Sequence, residues 1–280
     1  MSLFDDRTCE LGEGPIWHPL RARYFWFDIL NRRLLSRDDS GPLEWRFDRM
    51  VSAAGWVDAD RMIMATETGL AVLDLRDGAL VPLVAVEAED RATRSNDGRA
   101  DRQGGFWFGT MGKRAEPGSG AIYRYYRGAV RQVVAGVTIP NAICFVPDGR
   151  AAFYADTAAG RIWRQPLDAE GWPAGDPAPF LDLSAQGLNP DGAVIDAEGG
   201  LWCALWGAGR VTRFDMAGRA TDHLDLPGRH SSCPAFGGPD LRDMLVTTAR
   251  EGIAAPDPAQ GCTYLLRAPV AGLAEPRVIL

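Results

Sequence analysis

The chain has 280 residues, of which 46% are hydrophobic and 24% are charged, a composition typical of globular proteins with a sizeable core. Its net charge of −7, with acidic and basic residues interspersed, argues against a nucleic-acid-binding surface, which would need a basic face. The N-terminal stretch MSLFDDRTCELGEG does not resemble a signal peptide, and no apolar run is long enough to span a membrane, so we expect a cytoplasmic protein without membrane contact.

Six apolar segments recur along the chain, and each follows a polar or glycine-rich turn. In chain order they are YFWFDI, MIMATE, FWFGTM, AFYADT, LWCALW and MLVTTA, with anchor positions at Asp28, Thr66, Thr110, Asp156, Leu205 and Thr248. The steps between anchors are 38, 44, 46, 49 and 43 residues, which is the period of a propeller blade. Further strand-like segments flank the anchors, and no long segment has helical periodicity.

This repeat predicts an all-β protein, a six-bladed β-propeller of four-stranded antiparallel blades that forms a single domain over residues 1–280. A large β-sandwich with irregular strand spacing is the alternative. The cysteines are odd in number and form no CxxC pair, which favours buried free thiols over disulfides or a thiolate zinc site. They are Cys9, Cys144, Cys203, Cys233 and Cys262.

The starts of the innermost strands supply the candidate site. Counting back 14 or 15 residues from each anchor reaches Glu13, Ser52, Asn96, Asn141, Asp191 and Pro234, which should ring one mouth of the central channel. Asn and Asp also favour turns, so any single position has a local explanation. Together, Glu13, Asn141 and Asp191 offer three oxygen ligands and two negative charges. This set suits Ca²⁺, Mg²⁺ or Mn²⁺, and Zn²⁺ or Fe²⁺ stay possible with added water.

Five segments resemble the gluconolactonase, regucalcin and senescence-marker-protein family of six-bladed propellers, in its bacterial sugar-lactonase branch. They are LGEGPIWHP, RSNDGRADRQGGFWFGTMG, IPNAICFVPDG, NPDGAVIDAEGGLWCALWG and FGGPDLRDMLVTTAR, and they run from Gly12 to about Arg250. The resemblance implies one divalent metal at Glu13, Asn141 and Asp191. It also implies that Arg94 and Asn96 contact the sugar and that Asp191 is a candidate base. Ala142 departs from the family's pattern, because many relatives have Gly after the metal-binding Asn.

The expected activity is hydrolysis of a sugar lactone to the aldonic acid, with a metal-activated water attacking the lactone carbonyl. A phosphotriester hydrolase and a non-catalytic calcium-binding or interaction propeller are the alternatives. His18 is expected to be structural, although it lies near the first ring position. Lys113, Arg114 and Glu116 are expected on a loop above the channel mouth, either as solvated charges or as specificity residues. Nothing in the sequence indicates an oligomeric state.

Overall fold

The computed structural model describes all 280 residues, and they form an all-β propeller, as predicted. Four blades have four antiparallel strands each. The first two contain β2 (Gly12–His18), β3 (Arg23–Asp28), β4 (Arg33–Asp38) and β5 (Gly41–Arg46), then β6 (Val51–Trp56), β7 (Arg61–Thr66), β8 (Gly69–Asp74) and β9 (Leu80–Ala85). The next two contain β10 (Thr93–Ala100), β11 (Phe106–Gly112), β12 (Gly120–Tyr126) and β13 (Ala129–Val137), then β14 (Pro140–Phe145), β15 (Ala151–Asp156), β16 (Arg161–Pro166) and β17 (Ala178–Asp182).

The predicted division into six four-stranded blades is wrong, because the remaining eight strands form one sheet. This sheet contains β18 (Asn189–Ile195), β19 (Leu201–Trp206), β20 (Arg210–Phe214), β21 (Ala220–Asp225), β22 (His230–Gly237), β23 (Asp243–Ala249), β24 (Thr263–Arg267) and the N-terminal β1 (Ser2–Asp5). A pairing between Trp206 and His230 joins β19 to β22, and their rings stack with centroids 4.2 Å apart. The repeat period locates each strand but carries no signal for this single contact.

Apolar side chains fill the spaces between neighbouring sheets. One cluster, which includes Phe153 and Leu201, packs the blade of β14 to β17 against the sheet that contains β18 and β19. Another, which includes Ile63 and Phe106, packs the second blade against the third. The five cysteines are buried and free, as predicted. The helices are two three-residue 3₁₀ turns, Thr157–Ala159 and Ser184–Gln186, so no helix has the length and apolar character needed to cross a membrane.

A buried aspartate fixes the turn between the first and second strands in two parts of the propeller. Asp196 accepts hydrogen bonds from the backbone amides of Glu198 and Gly200, at 3.0 and 2.8 Å. Its other oxygen accepts from Trp202 Nε1 at 2.9 Å and from Arg213 Nε at 2.6 Å. In the third blade Asp101 makes the equivalent set of four bonds. The DAEGG and DRQGG turns are therefore structural, and the residues at the other end of each inner strand remain available for function.

Every innermost strand has a register shift near its start, at the end where the candidate site was predicted. The shifts fall between Glu13 and Ile16, Val51 and Ala53, Ser95 and Gly98, Asn141 and Cys144, Pro190 and Ala193, and Ser231 and Cys233. A bulge re-aims the side chains around it, which lets consecutive strands direct polar groups toward one point. The predicted ring position Pro234 is wrong, because it pairs regularly with Val246 and Ser232 lies in the bulge instead.

Candidate active site at the channel mouth

The five predicted site residues line one cavity of about 480 Å³. They come from four different innermost strands, namely β2, β10, β14 and β18, and they are Glu13, Arg94, Asn96, Asn141 and Asp191. A cavity of this volume is in the range of small-molecule sites. The register shifts explain this convergence, because each of these strands bends where it reaches the cavity.

Glu13 and Asp191 form a buried carboxylate pair, with only 5% and 4% of each residue exposed. Burial, together with the nearby charge of Asp97, raises the pKa of Glu13 to about 8. Burial and the charge of Glu13 raise the pKa of Asp191 well above its ordinary value. Neither carboxylate makes a salt bridge to a basic side chain, and the nearby charge of Arg94, which lowers the pKa of Glu13, does not outweigh the effect of burial.

Asn141 lines the same cavity, and both ends of its amide are hydrogen-bonded. Its Oδ1 accepts from Asn96 Nδ2 at 2.9 Å, and its Nδ2 donates to Thr157 Oγ1 at 2.8 Å. A carbonyl oxygen has two lone pairs, so Oδ1 can accept this bond and still face a cation. The next residue, Ala142, has a φ of +53°, in the left-handed region that glycine adopts most easily. Ala142, which departs from the pattern of the resembled family, therefore has a strained backbone conformation.

Arg94 is a buried cation that lines the same cavity, with 6% of the residue exposed. Its Nη1 donates to the Ser95 carbonyl at 2.9 Å and to Asn96 Oδ1 at 2.7 Å. Burial lowers the pKa of Arg94, and the charges of Glu251 and Glu13 oppose that shift. Its Nε and Nη2 make no hydrogen bond to the protein, which leaves donors available to a ligand in the cavity.

The donor set at the carboxylate pair fits a divalent cation. Two carboxylates and one amide carbonyl supply only oxygen ligands, which hard cations such as Ca²⁺, Mg²⁺ and Mn²⁺ prefer. No three His, Cys, Asp or Glu side chains in the chain cluster as metal ligands, so the proposed set depends on the Asn141 amide oxygen as its third ligand. A cation would also favour the ionised forms of Glu13 and Asp191, which burial disfavours in its absence.

The other charged residues singled out in the sequence have different surroundings. His18 is fully buried away from the cavity, and its Nε2 lies 3.0 Å from the Asp58 carbonyl oxygen, so its role is structural. Lys113 and Arg114 line the rim of the cavity. Lys113 is paired with Glu67 at 2.6 Å, and the exposed Arg114 is paired with Glu116 at 2.9 Å.

The sequence analysis did not identify three further residues at or near the cavity. Thr157 follows the second strand of its blade, and Glu251 follows β23, so neither belongs to the innermost strands that the repeat singled out. Asp97 is buried, its charge acts on Glu13, and it accepts from the Ile143 amide at 2.8 Å, which ties the bulge of β10 to that of β14. Its position directly after Asn96 was the available signal, since a carboxylate there shares the same bulge.

Comparisons with known proteins extend over almost the whole chain. Residues 11–250 match the family model described as the SMP-30/Gluconolactonase/LRE-like region. The chain is 34% identical to the L-arabinolactonase of Azospirillum brasilense, over 99% of this chain and 94% of that protein. It is 33% identical to the 6-deoxy-6-sulfogluconolactonase of Pseudomonas putida, over 95% and 94% respectively. The crystal structure of a calcium-binding protein, regucalcin, from Agrobacterium tumefaciens strain C58 superposes with a TM-score of 0.97 at 37% identity, covering 99% of this chain and 97% of that one.

Proposed function

This chain belongs to the SMP-30/gluconolactonase family, and we propose that it hydrolyses sugar lactones with a divalent cation held by Glu13, Asn141 and Asp191. The observation that carries the proposal is the buried carboxylate pair, which shares one cavity with a buried arginine. The lactonase names of two relatives that align over nearly the full chain support the substrate class. The calcium-binding relative favours Ca²⁺ as the first cation to test.

The chemistry requires a polarised ester carbonyl, an activated water and a donor for the departing ring oxygen. A bound divalent cation supplies Lewis acidity toward the carbonyl and lowers the pKa of water. Asp191 is the candidate base that takes the proton of the attacking water and returns one to the ring oxygen.

Arg94 and Asn96 are the candidate groups that orient the lactone. The free Nε and Nη2 donors of Arg94 can bind hydroxyl or carbonyl oxygens of the sugar. Asn96 is less available, because its oxygen accepts from Arg94 and its Nδ2 already donates to Pro140 O and Asn141 Oδ1, at 3.0 and 2.9 Å. We therefore assign the larger share of substrate binding to Arg94, and to Asn96 the positioning of Arg94 and Asn141.

The substrate class can be tested by proton release from gluconolactone, xylonolactone and a phosphotriester, with the cation-loaded protein. We expect hydrolysis of the lactones and little or no reaction of the phosphotriester. A preference for the phosphotriester would show that the cavity performs a different hydrolysis, and no reaction with any of the three would favour a binding protein.

Changing Arg94→Ala should lower kcat/KM for the lactone by roughly 10-fold or more, because a hydrogen bond from a charged donor is worth about 1.5–3 kcal/mol. Cation affinity, measured by isothermal titration, should change less than kcat/KM, since Arg94 is not one of the proposed ligands and the Thr157 hydroxyl still orients the Asn141 amide. Arg91→Ala is the matched control, because Arg91 is exposed and lies outside the cavity. Wild-type kinetics in the Arg94 variant would contradict the assignment.

A further inference from the structure

A directed chain of four hydrogen bonds crosses the cavity wall. It begins at Arg94 Nη1, which donates to Asn96 Oδ1 at 2.7 Å. Asn96 Nδ2 then donates to Asn141 Oδ1 at 2.9 Å, and Asn141 Nδ2 donates to Thr157 Oγ1 at 2.8 Å. The Thr157 hydroxyl ends the chain by donating to the Pro190 carbonyl at 2.6 Å. The residue after Pro190 is Asp191, so the chain links three of the strands that form the site.

The chemistry of the two ends fixes the direction of every bond between them. A guanidinium can only donate and a backbone carbonyl can only accept. Since the single proton of Thr157 goes to the Pro190 carbonyl, its oxygen must accept from the NH₂ group of Asn141. Asn141 therefore has to turn its carbonyl oxygen toward Asn96, which leaves an oxygen and not an NH₂ group to serve as the proposed cation ligand.

A rigid frame holds Thr157 in place. Thr157 begins the 3₁₀ turn Thr157–Ala159, and the Asp156 side chain caps this turn by accepting from the Ala158 amide at 3.2 Å. The same carboxylate accepts from the amides of Thr138 and Ile139, at 2.9 and 3.0 Å. Asp156 thus ties the turn that carries Thr157 to the segment that leads into Asn141. The distance between the hydroxyl and the amide is set by this shared anchor.

We infer that Thr157 is a positioning residue of the site: its hydroxyl sets the orientation of the Asn141 amide and anchors the strand that carries Asp191. This inference rests on the proposed cation site. Without the hydroxyl, Nδ2 of Asn141 has no acceptor, and the amide can rotate to present its NH₂ group to the cation. A cation would then lose a ligand and meet a donor in its place.

The test compares cation binding in Thr157→Val and Thr157→Ser by isothermal titration with Mn²⁺ and Ca²⁺. Valine keeps the shape but loses both hydrogen bonds, so we expect affinity to fall by about 10- to 100-fold, the range for groups that orient metal ligands. Serine keeps the hydroxyl and should stay within about 3-fold of wild type, since both hydrogen bonds persist. Thr221→Val is the matched control, because Thr221 is exposed on an outer strand, and it should bind like wild type.

The outcomes separate this inference from the proposed function. If wild type binds neither cation, the proposed cation site fails and the role of Thr157 fails with it. If wild type binds and Thr157→Val binds equally well, the inference alone is overturned. Near-UV circular dichroism checks that the variants are folded. Where valine is not accommodated, Thr157→Ala removes the hydroxyl without adding bulk beside Pro190 and gives the same comparison.

Discussion

Replacing Asp191 with asparagine should lower lactonase activity by about 100-fold or more, the scale associated with loss of a general base. Asn keeps the shape of the side chain and one oxygen ligand, but it removes one of the two protein charges at the proposed cation site. Cation affinity should therefore weaken as well. Proton release from a lactone and isothermal titration with Mn²⁺ measure the two effects. Asp176→Asn is the control, because Asp176 is exposed and away from the cavity, and it should behave as wild type.

Although Asp191→Asn should lower activity and cation affinity, it should not lower the thermal stability of the metal-free protein. In the metal-free protein the pKa of Glu13 is raised from 4.5 to about 8, so the folded state holds its proton more tightly than the unfolded chain. That contribution to stability is complete below the unfolded pKa and is lost as pH rises through about 8. The charge of Glu13 also raises the pKa of Asp191, so Asp191→Asn removes this repulsion between the two carboxylates. At pH 8.5 with EDTA, the variant should melt no lower than wild type, and its melting temperature should depend less on pH.

If Asp191 is only a turn residue, the expected activity and cation affinity of Asp191→Asn are different. Asparagine is a good turn former, so both activity and cation affinity would stay near wild type. An active Asp191→Asn variant with unchanged cation affinity would remove Asp191 from the site. A variant that binds the cation normally but hydrolyses the lactone slowly would instead separate the base from the ligand role.

Changing Gly14→Ala should destabilise the protein by about 3 kcal/mol, the sum of left-handed strain and overpacking. Gly14 has a φ of +52°, and an added Cβ would lie 2.2 Å from the Ser52 carbonyl oxygen. The strand would have to move, and because Gly14 N donates to Glu13 Oε2 at 3.0 Å, Glu13 would move with it. We expect weaker cation binding together with a melting temperature lowered by roughly 6–10 °C.

Two further variants, Gly128→Ala and Ala142→Gly, separate the backbone strain of Gly14→Ala from its steric clash. Gly128 has a φ of +80° with no atom within 4 Å of an added Cβ, so Gly128→Ala should show the conformational cost alone. Ala142→Gly makes the reverse change beside Asn141 and should alter stability by less than about 1 kcal/mol, because relief of strain is offset by greater freedom of the unfolded chain. A Gly14→Ala protein as stable as wild type would contradict the tight approach of β2 to β6.

The sequence was most informative where a local pattern repeats. The apolar segment of each repeat predicted one strand of the propeller, from β3 at Asp28 to β23 at Thr248, because strand burial leaves a direct trace in hydrophobicity. Glu13, Asn141 and Asp191 occupy equivalent positions in the repeat, and this equivalence predicted that they lie close together. They do line one cavity, although their roles stay predictions. The family resemblance, not the repeat, drew attention to Ala142, and this residue has a φ of +53°, a conformation that glycine adopts most easily.

Features that depend on single contacts or one-residue shifts could not be predicted in this way. The pairing of Trp206 with His230 merges eight strands into one sheet without changing the repeat. A bulge moves the sixth ring position from Pro234 to Ser232, which spacing alone cannot resolve. Thr157 reaches Asn141 from a 3₁₀ turn outside the innermost strands, so its role depends on a hydrogen bond between sequence-distant groups.

The central claim is that a divalent cation at Glu13, Asn141 and Asp191 supports lactone hydrolysis. Its most direct test is the rate of lactone hydrolysis by protein stripped with EDTA and dialysed, before and after addition of one equivalent of Ca²⁺ or Mn²⁺. The account predicts that stripping lowers the rate by at least about 100-fold and that one of these cations restores it, since several kcal/mol of transition-state stabilisation depend on the ion. Full activity in the stripped protein would contradict the account.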